Sequence, residues 1–159
     1  MENSDVYKAP ESELVSGDEL KSIGGWLRFF QVVNFIYAIA GVLVAALVVV
    51  TYFIDESVYG GLIGSIASLV ELTPVIVFSI LILKVVNHQE EGIPVKIKSY
   101  IGYYLLTSFL VAAGIASLYI MDLVPDKPAS IFGDLIYYLI WSSYFKRSKR
   151  VRSFYGATA

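Results

Sequence analysis

Four long apolar runs, with almost all of the positive charge on one side of them, constrain this chain more than any other feature of its sequence. The runs cover residues 29–54, 57–83, 99–121 and 128–145, and the only charged residues inside them are Glu71 and Asp134. A helix needs about 20 apolar residues to cross the hydrocarbon core of a bilayer, where every backbone polar group must be bonded internally. The sequence therefore predicts an all-α fold, a four-helix transmembrane bundle with short loops.

The composition agrees with a chain that lies mostly in a membrane. Of the 159 residues, 57% are hydrophobic and 16% are charged, whereas a soluble domain carries about 25% charged residues. We predict helices at about 26–54, 59–86, 98–121 and 129–145, within a membrane domain that spans residues 21–147. Residues 148–159 are predicted to be a basic cytoplasmic tail.

The N-terminal segment has a different character. Residues 1–20 hold six acidic residues and show no apolar periodicity, which is typical of a segment that buries too little surface to fold. We predict a disordered, acidic cytoplasmic tail. Pro10 favours an extended backbone at the preceding Ala9. The stretch from Tyr7 to Pro10 is either part of an ordinary solvated tail, which we favour, or a docking peptide.

The distribution of basic residues predicts the orientation. Lysine and arginine are enriched in cytoplasmic loops. With a cytoplasmic N-terminus, eleven of the twelve basic residues fall inside and only Lys127 falls outside. Both termini are therefore predicted to lie in the cytoplasm.

Glu71 is the main candidate for a functional side chain. It lies near the middle of the second predicted helix, where an ionised carboxylate costs at least about 2.5 kcal/mol on insertion scales. We expect a hydrogen bond to a neighbour such as Asn34, Thr73 or a tyrosine. A structural role and a role in transport both remain open, and we favour the structural one. Asp134 is predicted to be an acid at the start of a helix, stabilised by the helix dipole.

The sequence offers little support for an enzyme. It has no cysteine, and its one histidine, His88, has no second histidine nearby to complete a metal site. The serines of the predicted helices lack a histidine base, so a hydrolase triad has no support. We predict no catalytic residues, no metal and no cofactor.

Basic and aromatic residues at the two ends of the membrane domain are candidates for contact with lipid headgroups or a partner. If the fourth helix continues past residue 147, its apolar residues would share one face and its basic residues would cover the rest, as on an amphipathic surface helix. The alternative is that these charges only fix the topology. Nucleic-acid binding is disfavoured. The candidates are Trp26, Arg28, Lys146, Arg147, Lys149, Arg150 and Arg152.

Two short motifs resemble a known family. Gly24-Gly25-Trp26-Leu27 precedes the first predicted span, and Tyr144-Phe145-Lys146-Arg147-Ser148-Lys149-Arg150-Val151 follows the fourth. Together they resemble the bacterial membrane family called domain of unknown function 2569, over about residues 20–155. The resemblance implies a four-helix bacterial inner-membrane protein and no particular activity. Where the family often has an Ile-Pro pair before the Tyr-Phe, this chain has Ser142-Ser143.

Two function classes follow from these observations. The first is a small non-enzymatic accessory or interaction protein whose basic cytoplasmic edge meets anionic lipid, a protein partner or a second copy of the chain. The second is a small transporter or channel component that uses Glu71 and Asp134.

Overall fold

The computed structural model of the chain describes residues 24–125 and 128–156. This part is all-helical, which confirms the all-α part of the predicted fold. The predicted acidic tail of residues 1–20 lies outside the described residues. The helices are α1 Gly25–Ile54, α2 Gly61–Val85, α3 Ile93–Ile120, α4 Phe132–Arg147 and α5 Lys149–Tyr155, with a short 3₁₀ turn at Glu56–Tyr59 between α1 and α2.

Three of these helices are long and apolar enough to cross a membrane. They are α1, α2 and α3, with mean hydropathies of 2.6, 2.4 and 1.7 over their most apolar windows. The helix α4 has 16 residues, fewer than the roughly 20 of an ordinary crossing. The chain thus has the helices of a membrane protein, and the fourth crossing stays a prediction.

Two predicted helix starts differ from the structure. The helix α3 begins at Ile93 instead of residue 98, because Pro94 lies in its first turn, where the amide that proline lacks would have no helical partner anyway. The helix α4 begins at Phe132 instead of residue 129. Pro74 lies inside α2, which is assigned as one helix from Gly61 to Val85.

One end of the bundle is densely packed. We call it the basic end, because all lysines and arginines among the described residues lie there or in the helix turns that adjoin it. Its core combines the start of α1, the end of α2, the start of α3 and the end of α4 with α5. The buried residues of this core are Leu27, Phe30, Ile82, Val86, Ile93, Ile97, Ile101, Trp141, Phe145, Val151, Phe154 and Tyr155.

The short helix α5 is part of this core, which corrects the prediction of a basic tail from residue 148 and of an amphipathic helix continuing α4. Ser148 is extended, with φ −71° and ψ 120°, and its hydroxyl accepts a hydrogen bond from the amide of Val151. This cap turns the chain back, so that Val151 and Phe154 are buried. The Tyr155 hydroxyl donates a 2.7 Å hydrogen bond to the carbonyl of Val86. The apolar face of α5 is therefore used inside the protein.

The opposite end, which we call the loop end, holds a smaller core of Ala67, Ile115 and Val124. Gly60 has φ 75° and lies so close to Pro125 that an added Cβ would be 2.5 Å from the proline Cδ. A left-handed φ and this close approach both require glycine. Gly60 thus allows the loop before α2 to pack closely against Pro125.

Candidate functional site

A cavity of about 430 Å³ lies between the helices towards the loop end. Its volume falls within the range of roughly 300–1,000 Å³ that small-molecule sites occupy. The cavity is bounded by α1, α2, α3, α4 and the segment that leads into α4. Its lining residues are Tyr37, Glu71, Leu72, Val75, Tyr104, Ser108, Val111, Ala112, Ala129, Ser130, Ile131, Gly133, Asp134 and Tyr137.

Glu71 projects from α2 to one wall of the cavity. Its carboxyl oxygen Oε1 accepts a 2.7 Å hydrogen bond from the amide of Ala129. The expected side-chain partners are used elsewhere: the Thr73 hydroxyl donates to the carbonyl of Leu69 over 3.0 Å, and Asn34 bonds residues of α1 and α4. Glu71 therefore ties the segment before α4 to the middle of α2.

Asp134 lies on the same cavity, in the first turn of α4. This confirms the prediction of an acid at a helix start, where a carboxylate is favoured by the helix dipole. The Tyr104 hydroxyl of α3 donates a hydrogen bond to the Asp134 carboxylate. The structure thus brings together the two acids of the apolar runs, which the sequence places 63 positions apart.

Asn34 holds one residue of the cavity wall, Tyr137, in position. It is only 1% exposed, and both ends of its amide are used. Its Nδ2 donates to the carbonyl of Phe30 over 2.8 Å, and its Oδ1 accepts from the Tyr137 hydroxyl over 2.9 Å. A buried polar group of this kind is costly unless it is fully bonded, so Asn34 fixes the position of Tyr137.

Three tyrosines form an aromatic wall that the sequence interpretation missed. The ring centroids of Tyr37 and Tyr137 are 6.0 Å apart, and those of Tyr104 and Tyr137 are 5.7 Å apart. The three rings come from three different helices. One signal was present in the sequence: Asp134 and Tyr137 are three positions apart on a helix and so share a face.

Small residues on α3 leave room for the cavity. Ser108 and Ala112 both line it. On the side of the basic end, the aromatic side chains of Phe30, Trp141 and Phe145 are at most 4% exposed. This core of the basic end closes that side of the cavity, while exposed Ala129, Ser130 and Gly133 form the cavity's rim.

The predicted lipid or partner contacts lie at the basic end, away from the cavity. Trp26 is 62% exposed, and Arg28 donates to the side chain of Gln31. Four further cations are exposed, while Arg150 is half-buried beside Gly24 and Gly25. The four are Lys146, Arg147, Lys149 and Arg152.

Metal binding has no support in the part of the chain that the structure describes, where no group of three or more histidine, aspartate or glutamate side chains is placed to hold an ion. Comparison of the chain with protein-family models, with curated proteins and with solved structures gave no match. The resemblance to domain of unknown function 2569 therefore stays a prediction.

Proposed function

We propose that this chain is a multi-pass membrane protein that binds a small solute in the cavity of its loop end, as a transporter or a component of one. The observation that carries the proposal is the joining of Glu71 and Asp134 in one cavity of about 430 Å³. Acidic side chains inside membrane segments are costly and mark solute or ion pathways. A purely structural acid would not need a cavity of this size beside it.

The proposal includes four crossings in a bacterial inner membrane, with both termini in the cytoplasm. It is supported by the basic end, because the described cations lie at that end of the helices and such residues stay on the cytoplasmic side. The cavity then opens to the extracytoplasmic side. Reporter fusions after residue 156 and within the loop between α3 and α4 test this topology. A reporter after residue 156 that is active only outside the cytoplasm would contradict it.

Binding, and not an enzymatic reaction, is the role that the lining residues support. The cavity has no histidine or cysteine among its described lining residues, so these residues supply neither a histidine base for a serine nor a cysteine nucleophile. The packed core of Phe30, Trp141 and Phe145 closes the cavity on one side. An open pore is disfavoured for the same reason, so a solute would cross only after a conformational change.

A binding screen on the intact protein in lipid nanodiscs tests the function. Anions, cations, zwitterions and neutral polyols are each added at high concentration, and thermal unfolding is followed. A ligand at about 100 times its Kd stabilises the folded state by ~2.7 kcal/mol. We expect at least one class to stabilise the parent protein and to lose this effect in Ala112→Phe, which fills the cavity.

A matched variant controls for damage to α3. Ala113→Phe makes the same change at the neighbouring exposed position and should bind like the parent; if Ala112→Phe does not fold, Ser108→Leu replaces it. Proteoliposome uptake of the stabilising solute then tests transport. The proposal is wrong if no class stabilises the parent protein more than it stabilises the cavity-filled variant.

An accessory role at the cytoplasmic membrane surface is a second candidate. Val151 and Phe154 are buried, while four basic side chains of the C-terminal segment are exposed at the same end of the bundle. Each such group contributes about 1 kcal/mol of attraction to anionic lipid. We expect glutamine at positions 146, 147, 149 and 152 to abolish preferential co-purification of anionic lipid or of a protein partner. Unchanged co-purification would contradict this role.

A further inference from the structure

The charged side chains that line the cavity indicate which charge its ligand carries. Its described lining residues include two carboxyl side chains, Glu71 and Asp134, and no lysine or arginine. Each carboxyl group accepts one hydrogen bond, from Ala129 and Tyr104 respectively, and a carboxylate has acceptor positions beyond one. In a low-dielectric surrounding, an opposite charge is attracted more strongly than in water. A cationic group is the natural occupant.

The aromatic wall is a second and independent observation, and it also indicates a cation. The ring centroid of Tyr137 is 6.0 Å from that of Tyr37 and 5.7 Å from that of Tyr104. Neither pair is stacked, since the interplanar angles are 50° and 76°. All three rings line the cavity, and aromatic rings at a binding site attract quaternary and methylated ammonium groups through cation–π interaction.

The remaining wall distinguishes an organic cation from a metal ion. Leu72, Val75 and Val111 add aliphatic surface to the cavity. A hard metal ion prefers a shell of oxygen ligands, and among the described residues no cluster of three acidic or histidine side chains supplies one. Apolar and aromatic surface around two carboxyl groups fits a cation that carries carbon.

We propose that the solute is a small organic ammonium ion, bound with its charge beside Glu71 and Asp134 and its alkyl groups against the three tyrosines. This inference rests on the proposed solute-binding function and names the ligand class for that site.

Choline and its uncharged analogue 3,3-dimethylbutan-1-ol are the decisive probes, because they have nearly the same shape and differ in charge. Binding of each is measured by titration of the intact protein in nanodiscs of neutral lipid at fixed ionic strength. We expect choline to bind at least about tenfold more tightly than the alcohol. Equal affinity of the two probes would overturn the inference.

Matched variants locate the effect. Glu71→Gln should weaken choline binding on the order of tenfold or more, while Glu56→Gln, at an exposed acid in the 3₁₀ turn, should not change it. Tyr37→Leu removes an aromatic ring of the cavity wall and should weaken choline binding about threefold. Tyr103→Leu makes the same change at an exposed position of α3 that does not line the cavity, and is the matched control. Identical choline affinities in Tyr37→Leu and Tyr103→Leu would contradict the role of the aromatic wall.

The outcomes separate the ligand class from the function. If an anion or a neutral solute binds, and Ala112→Phe abolishes that binding while choline is ignored, the ammonium inference is wrong and the solute-binding function stands. If no solute of any class distinguishes the parent protein from Ala112→Phe, both are wrong.

Discussion

The two ends of this bundle are built from the same helices and differ in how their interior is filled. At the basic end, large aromatic and branched side chains pack together, and the ring centroids of Phe30 and Trp141 are only 4.6 Å apart. Towards the loop end, Ser108, Ala112 and Gly133 stand where large residues would close the space. The contrast shows that an apolar composition does not decide whether a bundle is solid or hollow; side-chain volume at facing positions does.

The polar groups differ between the ends in the same way. At the basic end the Tyr155 hydroxyl meets a backbone carbonyl in a closed core. At the cavity, Glu71 and Asp134 are half-buried and face a shared space. One end uses hydrogen bonds to fix the chain, and the other uses them to hold acids beside a cavity.

The largest effect on stability is expected from removing a central side chain of the basic end. Trp141 is 4% exposed and contacts Phe30, Phe29 and Tyr137. Trp141→Ala should lower the free energy of unfolding by about 3–5 kcal/mol, measured by denaturant titration in detergent micelles. Trp26→Ala, at a position 62% exposed, is the control and should cost far less. Equal losses in the two variants would show that the basic end is not the solid part.

A smaller loss of stability is expected when the hydrogen bond between α5 and the end of α2 is removed. Tyr155→Phe leaves the carbonyl of Val86 without its donor, which should cost about 1–3 kcal/mol. Burial raises the pKa of Tyr155, so the phenol keeps the proton that it donates to Val86. Tyr103→Phe, on an exposed part of α3, is the control. Faster hydrogen exchange confined to residues 149–155 would support the prediction, and no change in stability or exchange would contradict it.

A substitution at the loop end should affect only the segment that it holds, the residues just before α4. Glu71→Leu removes the acceptor for the Ala129 amide, and a net loss of about 1 kcal/mol should speed hydrogen exchange at residues 129–131 about fivefold. Glu71→Gln keeps an acceptor oxygen and should preserve the protection. An exchange rate in Glu71→Leu equal to that of the parent would mean that Glu71 does not hold this segment.

The smallest effect is a pH dependence in the turn between α1 and α2. The hydroxyl and the amide of Ser57 both donate to the Asp55 carboxylate, and these bonds lower the pKa of Asp55 below its ordinary 3.8. The folded turn is therefore favoured above pH 3.8 and loses this contribution as the pH falls through the lowered pKa. The Ser57 amide resonance should titrate there in the parent protein and not in Asp55→Asn. A titration midpoint above pH 3.8 would contradict the sign.

Much of the fold was predictable from the sequence, because long uncharged runs have one stable solution in hydrocarbon, which is the helix. The end of α1 at residue 54 and the helical character of all four runs needed no tertiary information. The predicted start of α3 was wrong because Pro94 was taken as a loop residue, although proline suits a first helical turn. The predicted C-terminal tail was wrong because Ser148 can cap a new helix.

The candidate site was predictable only in part. Glu71, Asp134 and Asn34 stand out because polar groups are costly in an apolar run. Their partners do not stand out, since Tyr104 bonds Asp134 and Tyr137 bonds Asn34 across helices whose relative rotation no local pattern fixes.

The sequence by itself determined that the part of the chain from residue 24 to 156 that the structure describes is all-helical, with at least three helices suited to a membrane and the basic residues of that part gathered at one end. The physical reason is local: backbone groups in hydrocarbon must bond to their own helix, and cations avoid it. Only the tertiary structure decided that Glu71 and Asp134 meet in one cavity, that three tyrosines form its wall, and that α5 packs into the basic end. Those features depend on how side chains from distant parts of the chain fill the space between helices, and packing of that kind is set by all of the helices together.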